Sequence, residues 1–293
     1  MQQQQQYVIL TDSTGDLSAD LVREAGVEVI PMEFALGGQV YHNYPDNREL
    51  APDAFYDRLR AGETATTAQV NLHTYQQTIE PFLQAGRDVL LLIFSSGLSG
   101  SYDTCRMAVE KLARRYPERA LRAVDTRAAS MGEGLLVFLA AQQRAQGKTL
   151  GETALWAESH RDRLCHWFTV DDLHFLHHGG RVSRAAAVMG TMLSIKPVLH
   201  VDDDGHLIAM EKVRGRRQSL DALVAHLEQT ITVGASDTVF VSHGGCRADA
   251  EYVAAQLRGR FGIRRIEIGD IGPVIGSHSG PGTVALFWLG SRK

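Results

Sequence analysis

A two-domain α/β protein is what the sequence predicts, and three observations lead to it. Nearly continuous apolar runs, "YVIL" at 7–10, "VLLLIF" at 89–94 and "LRAV" at 121–124, each pass through a small polar turn into an amphipathic segment. That is the pattern of parallel strands covered by helices on both faces. Near residue 164 the alternation changes to a mixed series of strands and helices, the grammar of a mixed α/β layer. The length, 293 residues, exceeds what one compact core usually organises.

The glutamine-rich residues 1–6 are expected to be a disordered tail. A first domain follows over 7–163. Its turns at the strand carboxyl ends carry Asp12, Ser13 and Thr14, then Ser95, Ser96 and Ser99, then Asp125 and Thr126, where ligands bind in parallel sheets. Between the first two units lies a polar and aromatic passage. Within it "APDAFYDRLRAG" reads as a helix, with Pro near its start and Gly at its end. The stretch "ETATTAQVN" reads as a hydroxyl-rich turn in which Thr66 or Thr67 caps the next helix. The second domain, 164–293, begins after the helix "LGETALWAESHRDRL" with a strand "CHWFTV" and a short helix "DDLHFLHHGG". Two antiparallel strands around "DDDG" come next. Helix, strand, helix and strand lead to "IGPVIGSHSGPGTVALFW" at 271–288, a Gly- and Pro-rich stretch ending in an apolar run. Alone, that stretch reads either as a surface loop or as a cradle for an anion with a greasy remainder.

Composition narrows the function classes. Thirty Lys and Arg against 34 Asp and Glu give a formal net charge of -4, which supplies no broad field for nucleic acid. Cys105, Cys165 and Cys246 stand far apart with no CxxC pair, so neither a disulfide framework nor a thiolate zinc site is expected, and a reducing, cytoplasmic setting fits. No basic segment precedes "YVIL" as in a secretory signal, and no apolar run is long enough for a bilayer span.

Standard site patterns are missing. There is no G-x-G-x-x-G after a strand and no G-x-x-x-x-G-K-[ST], and around Ser99 "GLSG" falls one residue short of G-x-S-x-G. His174, His177 and His178 share a helical stretch but lack the frame and further ligands of a metal site. Ser96, His278 and Asp12 can be written as a triad, as can many sets in a chain with 12 histidines. The recurring hydroxyls suit a bound carboxylate better, with donors from "FSSGLSGSY" and "TTAQ", and with Arg181 and His278 from the second half.

Seven ordered segments, "DSTGDL", "TTAQV", "FSSGLSGSYDT", "VDT", "DDLHFLHHGGRVS", "IKPVL" and "IGPVIGSHSGPGTV", resemble the DegV family of bacterial fatty-acid-binding proteins along nearly the whole chain. The resemblance implies two α/β domains, similar in fold to the substrate-binding domains of dihydroxyacetone kinases, around one long-chain fatty acid whose carboxylate lies at the interdomain cleft. No cofactor and no catalytic residue is implied. Some members of the family present the acid to a separate ATP-dependent fatty acid kinase for acyl phosphate formation and phospholipid synthesis, and ligand exchange would involve transient membrane contact. The family's carboxylate-binding threonine falls on Thr67, its tandem serines on Ser95 and Ser96, and its histidine, on a closing loop, on His278. Arg181 falls at the head-group end or on the kinase-facing surface, with Gly97, Ser277 and Ser279 as further head-group or partner contacts. Ala68 and Val70 stand where serine and proline are usual, and Ser101 and Ser279 where threonine is common. A stand-alone acyl hydrolase or transferase, and a regulatory protein holding a lipid, are the alternatives.

Overall fold

The computed structural model describes residues 7–183, 194–231 and 237–291; the expected glutamine tail lies outside them. Strands β1 (Tyr7–Asp12), β2 (Glu28–Ile30), β6 (Asp88–Ile93) and β7 (Leu121–Asp125) form a parallel sheet in the order β2-β1-β6-β7. The central strands are buried on both faces, so every position of β1 is apolar or hydrogen-bonded.

A second sheet orders its strands β10-β9-β8-β13-β11-β12: β8 (Leu164–Thr169), β9 (Ile195–Val201), β10 (Leu207–Arg214), β11 (Thr238–His243), β12 (Arg265–Asp270) and β13 (Val284–Leu289). Only β11 and β12 run parallel; the other neighbours are antiparallel, so the sheet is mixed as expected. The "DDDG" turn joins β9 to β10, with Gly205 at φ 83 where a side chain would be strained. Helix Met131–Ala145 has almost no polar face and lies in a core shared by residues of both sheets, including Ile9, Leu92, Phe168, Phe240 and Phe287.

The passage after β2 holds a sheet that the sequence reading did not foresee. β3 (Met32–Leu36) pairs antiparallel with β4 (Gln39–Asn43) and with β5 (Ala65–Thr67). Thr66 and Thr67 are therefore strand residues and cap nothing. The next helix, Leu72–Gln84, is capped by Asn71, whose side chain accepts from the Thr74 N–H at 3.0 Å. No described helix is long and apolar enough to cross a membrane.

Candidate functional site

A cavity of about 460 Å3 lies where these sheets face one another, a size typical of small-molecule sites. Met32, Phe94 and Leu98 line it from the first half of the chain. Phe168, Leu176, Val201, Leu207 and Phe287 line it from the second, and Ile271, Val274 and Ile275 from the segment that leads to His278. Its walls are thus mainly apolar, with Thr67, Gln69, Ser99, Arg181, His278 and Ser279 among the polar exceptions.

His278 stands on a helix, Pro273–Ser279, and not on a loop. Pro273 occupies the first turn, where its missing N–H costs nothing, and Gly280 ends the helix at φ 77. The helix lies close to Tyr56 and Phe55: a Cβ at Gly276 would stand 2.6 Å from the Tyr56 hydroxyl. That seating aims His278 Nε2 at Thr67 Oγ1 on β5, 2.8 Å away. Burial first, and the nearby Arg181 charge second, push the His278 imidazole down to about 4. The ring is therefore neutral near pH 7, a hydrogen-bonding group and not a cation. Arg181, half-buried, is the cationic residue of the described cavity wall; its Nη1 donates to the Gly179 carbonyl.

The other serines of the predicted site divide. Ser279 lines the cavity, and its buried hydroxyl has no partner among the described residues. The Ser277 hydroxyl turns back to the Pro273 carbonyl at 2.7 Å, inside its own helix. Ser95 and Ser96 do not line the cavity, and both hydroxyls bond to the protein. Ser95 Oγ donates to the Gly205 carbonyl at 2.9 Å, and exposed Ser96 Oγ donates to Asp125 Oδ2 at 2.6 Å. Gly97 backs onto the β9–β10 turn, where a Cβ would stand 2.8 Å from the Asp204 carbonyl oxygen. This loop latches a hairpin whose Val201 and Leu207 line the cavity. Ser95→Ala is expected to cost about 1 to 2 kcal/mol, because the Gly205 carbonyl loses its donor. Urea unfolding checks this; a Ser96→Ala cost as large as that of Ser95→Ala would contradict the latch.

Ser99 and Gln69 take the places on the cavity wall that were expected of the tandem serines. The signal for Ser99 was its position just before the helix Ser101–Arg115, whose first N–H it accepts at 3.2 Å. No triad assembles from Ser96, His278 and Asp12: Ser96 bonds Asp125, His278 bonds Thr67, and Asp12 bonds Thr14. His174 and His178 stack at 5.9 Å, and among the described residues no cluster of three His, Cys, Asp or Glu gathers to hold a metal.

Thr14, on the cavity wall, also belongs to a buried acidic network behind it. Asp12 is 1% exposed and Glu133 0% exposed. Thr14 Oγ1 lies within hydrogen-bond reach of Asp12 Oδ1 and 2.8 Å from Glu133 Oε2, while Thr11 Oγ1 donates to Glu133 Oε1 at 2.8 Å. Burial, reinforced by the charge of Asp12, holds Glu133 well above the carboxylate range; burial likewise raises Asp12.

Fold and cavity together define an α/β protein with a mainly apolar pocket that carries a few polar side chains. The chain belongs to the DegV family, described as uncharacterised proteins, whose profile matches residues 6–291. A DegV domain-containing protein of Clostridium perfringens is 42% identical over 287 residues, covering 98% of each chain. Among solved structures, a Thermus thermophilus DegV family protein described by its fatty acid binding matches with TM-score 0.85 at 28% identity, over 97% of this chain and 99% of that one. A Thermotoga maritima protein described as revealing a fatty acid binding function matches with TM-score 0.85 at 26% identity, over 98% and 99%.

Proposed function

We propose that this protein binds one long-chain fatty acid, tail in the cavity and carboxylate beside Thr67 and His278, and presents it to a separate ATP-dependent fatty acid kinase. The observation that carries the binding step is the 2.8 Å bond between Thr67 and His278 on the wall of a mainly apolar slot. Arg181 supplies the positive charge, and the Ser279 hydroxyl, without a partner among the described residues, supplies a further donor. The slot lies between two lobes, divided at about residue 163. The kinase step rests on the likeness to the family, and in it the protein acts as carrier, with the transfer chemistry left to the partner.

Magnitudes divide the labour. About fourteen buried methylenes at roughly 0.8 kcal/mol each give about 11 kcal/mol before the costs of association, whereas a hydrogen bond to a charged head group nets about 1.5 to 3. The tail therefore sets affinity and the head group sets orientation. Protein purified from a bacterial host is expected to release about one saturated or monounsaturated C14–C18 acid per chain on extraction and mass spectrometry. A nucleotide or sugar in the slot would overturn the reading. Adding ATP, a fatty acid kinase and labelled acid tests the carrier step: acyl phosphate should form only with the binding protein present.

A further inference from the structure

The residue against the second nitrogen of His278 has no side chain. Gly179 follows the helix His174–His178 at φ -72, a value open to any residue, so backbone freedom does not call for glycine there. Space does. A Cβ on Gly179 would overlap His278 Nδ1 and stand 3.3 Å from its Cε1 and Cγ. Cγ and Nδ1 form the root of a flat ring whose far nitrogen, Nε2, is held by Thr67 at 2.8 Å, so the ring has no small movement that clears a methyl group and keeps that bond.

The same glycine bears on the proton. Its carbonyl accepts from Arg181 Nη1, and buried His278 Nδ1 has no partner among the described residues. A neutral imidazole carries one N–H, and an N–H on Nδ1 would be an orphaned buried donor. On Nε2 it donates to Thr67 Oγ1, which leaves the threonine hydroxyl hydrogen free to point into the cavity.

We propose that Gly179 is a positioning residue, whose bare Cα seats the His278 ring and fixes its proton on Nε2, so that Thr67 offers its own hydrogen to the ligand carboxylate. The last step rests on the fatty-acid reading; the seat and the tautomer do not.

The test combines a spectrum with a cycle of variants. In 15N-histidine-labelled protein, the His278 resonances, assigned by their loss in His278→Ala, should show an unprotonated Nδ1 and a protonated Nε2; Gly179→Ala should shift them. Fatty acid affinity should fall about tenfold in Gly179→Ala but less than twofold when the same change is made in His278→Ala, as expected of two residues in contact. A purely structural glycine would weaken both backgrounds equally and would overturn the proposal, as would unchanged His278 resonances. Should Gly179→Ala melt early, the deficit should vanish in the double variant, where the ring is gone; a persisting deficit overturns the seat. Failure of the parent protein to bind palmitate or oleate would instead overturn the functional reading, while the spectrum and the melting comparison still decide the seat.

Discussion

Glu133→Ala is expected to destabilise the protein by about 3 to 5 kcal/mol, because it strips a partner from each of two buried hydroxyls and leaves a void beside the buried Asp12. Thr14 has one hydroxyl hydrogen for two acceptors, so the network closes when Glu133 is the neutral acid: it donates to Thr14, and Thr14 donates to Asp12. Glu133→Gln keeps that pattern, with its amide donating to Thr14 and its carbonyl accepting from Thr11, and should retain most of the stability. The sign of the pH dependence follows from the raised values. A carboxyl that binds its proton more tightly when folded gives stability that is full below its unfolded range and is lost as pH rises through the folded value. Asp16, lifted by burial from 3.8 to about 8, adds the same trend across that window. Its carboxyl group bonds Ser130 Oγ at 2.6 Å and accepts from the Gly272 N–H at 3.0 Å, at the entry to the His278 helix. Urea midpoints between pH 5 and 8 should fall less steeply in Asp16→Asn and in Glu133→Gln than in the parent. Parallel slopes in all three would contradict neutral acids in this core.

The second large effect concerns transfer. Thr67→Ala and His278→Ala should each lower kinase-coupled acyl phosphate formation by about tenfold or more, at roughly 1.4 kcal/mol per factor of ten, while most of the bound acid is retained. His278→Gln should recover much of the loss, since a neutral donor is what the folded imidazole supplies. With the imidazole held near 4, the binding step should be flat from about pH 6 to 8. A step centred near 6.5, removed in His278→Gln, would mean that the cation is the working form.

Much of the fold is legible in the sequence because the long apolar runs leave few alternatives: β1, β6 and β8 are buried at nearly every position, and the "DDDG" turn sets the hairpin. The three-stranded sheet was hidden because β5 has three residues, none buried, and "GGQVYHNY" lacks clean alternation. The His278 helix was hidden by its glycines, of which Gly276 serves close packing against Tyr56 and Gly280 ends the helix against Phe175. Site residues were harder still. In "FSSGLSG" every serine is a reasonable donor, and only the placed chain shows that Gly205 and Asp125 engage the first two while Ser99 reaches the cavity wall. Thr67 and His278 lie 211 positions apart in the chain, and no local pattern announces such a pair.

Helix Met131–Ala145 precedes the proposed boundary near 163, yet its apolar residues pack with β8, β11 and β13 as well as with the parallel sheet. Heat or denaturant should accordingly take the chain apart in one cooperative transition, with no half melting by itself. A protease that nicks an exposed loop would leave the two pieces clasped. Expressed separately, a fragment ending at 163 would present Phe138 and its neighbours to water and aggregate, so the two halves of the chain depend on each other to fold.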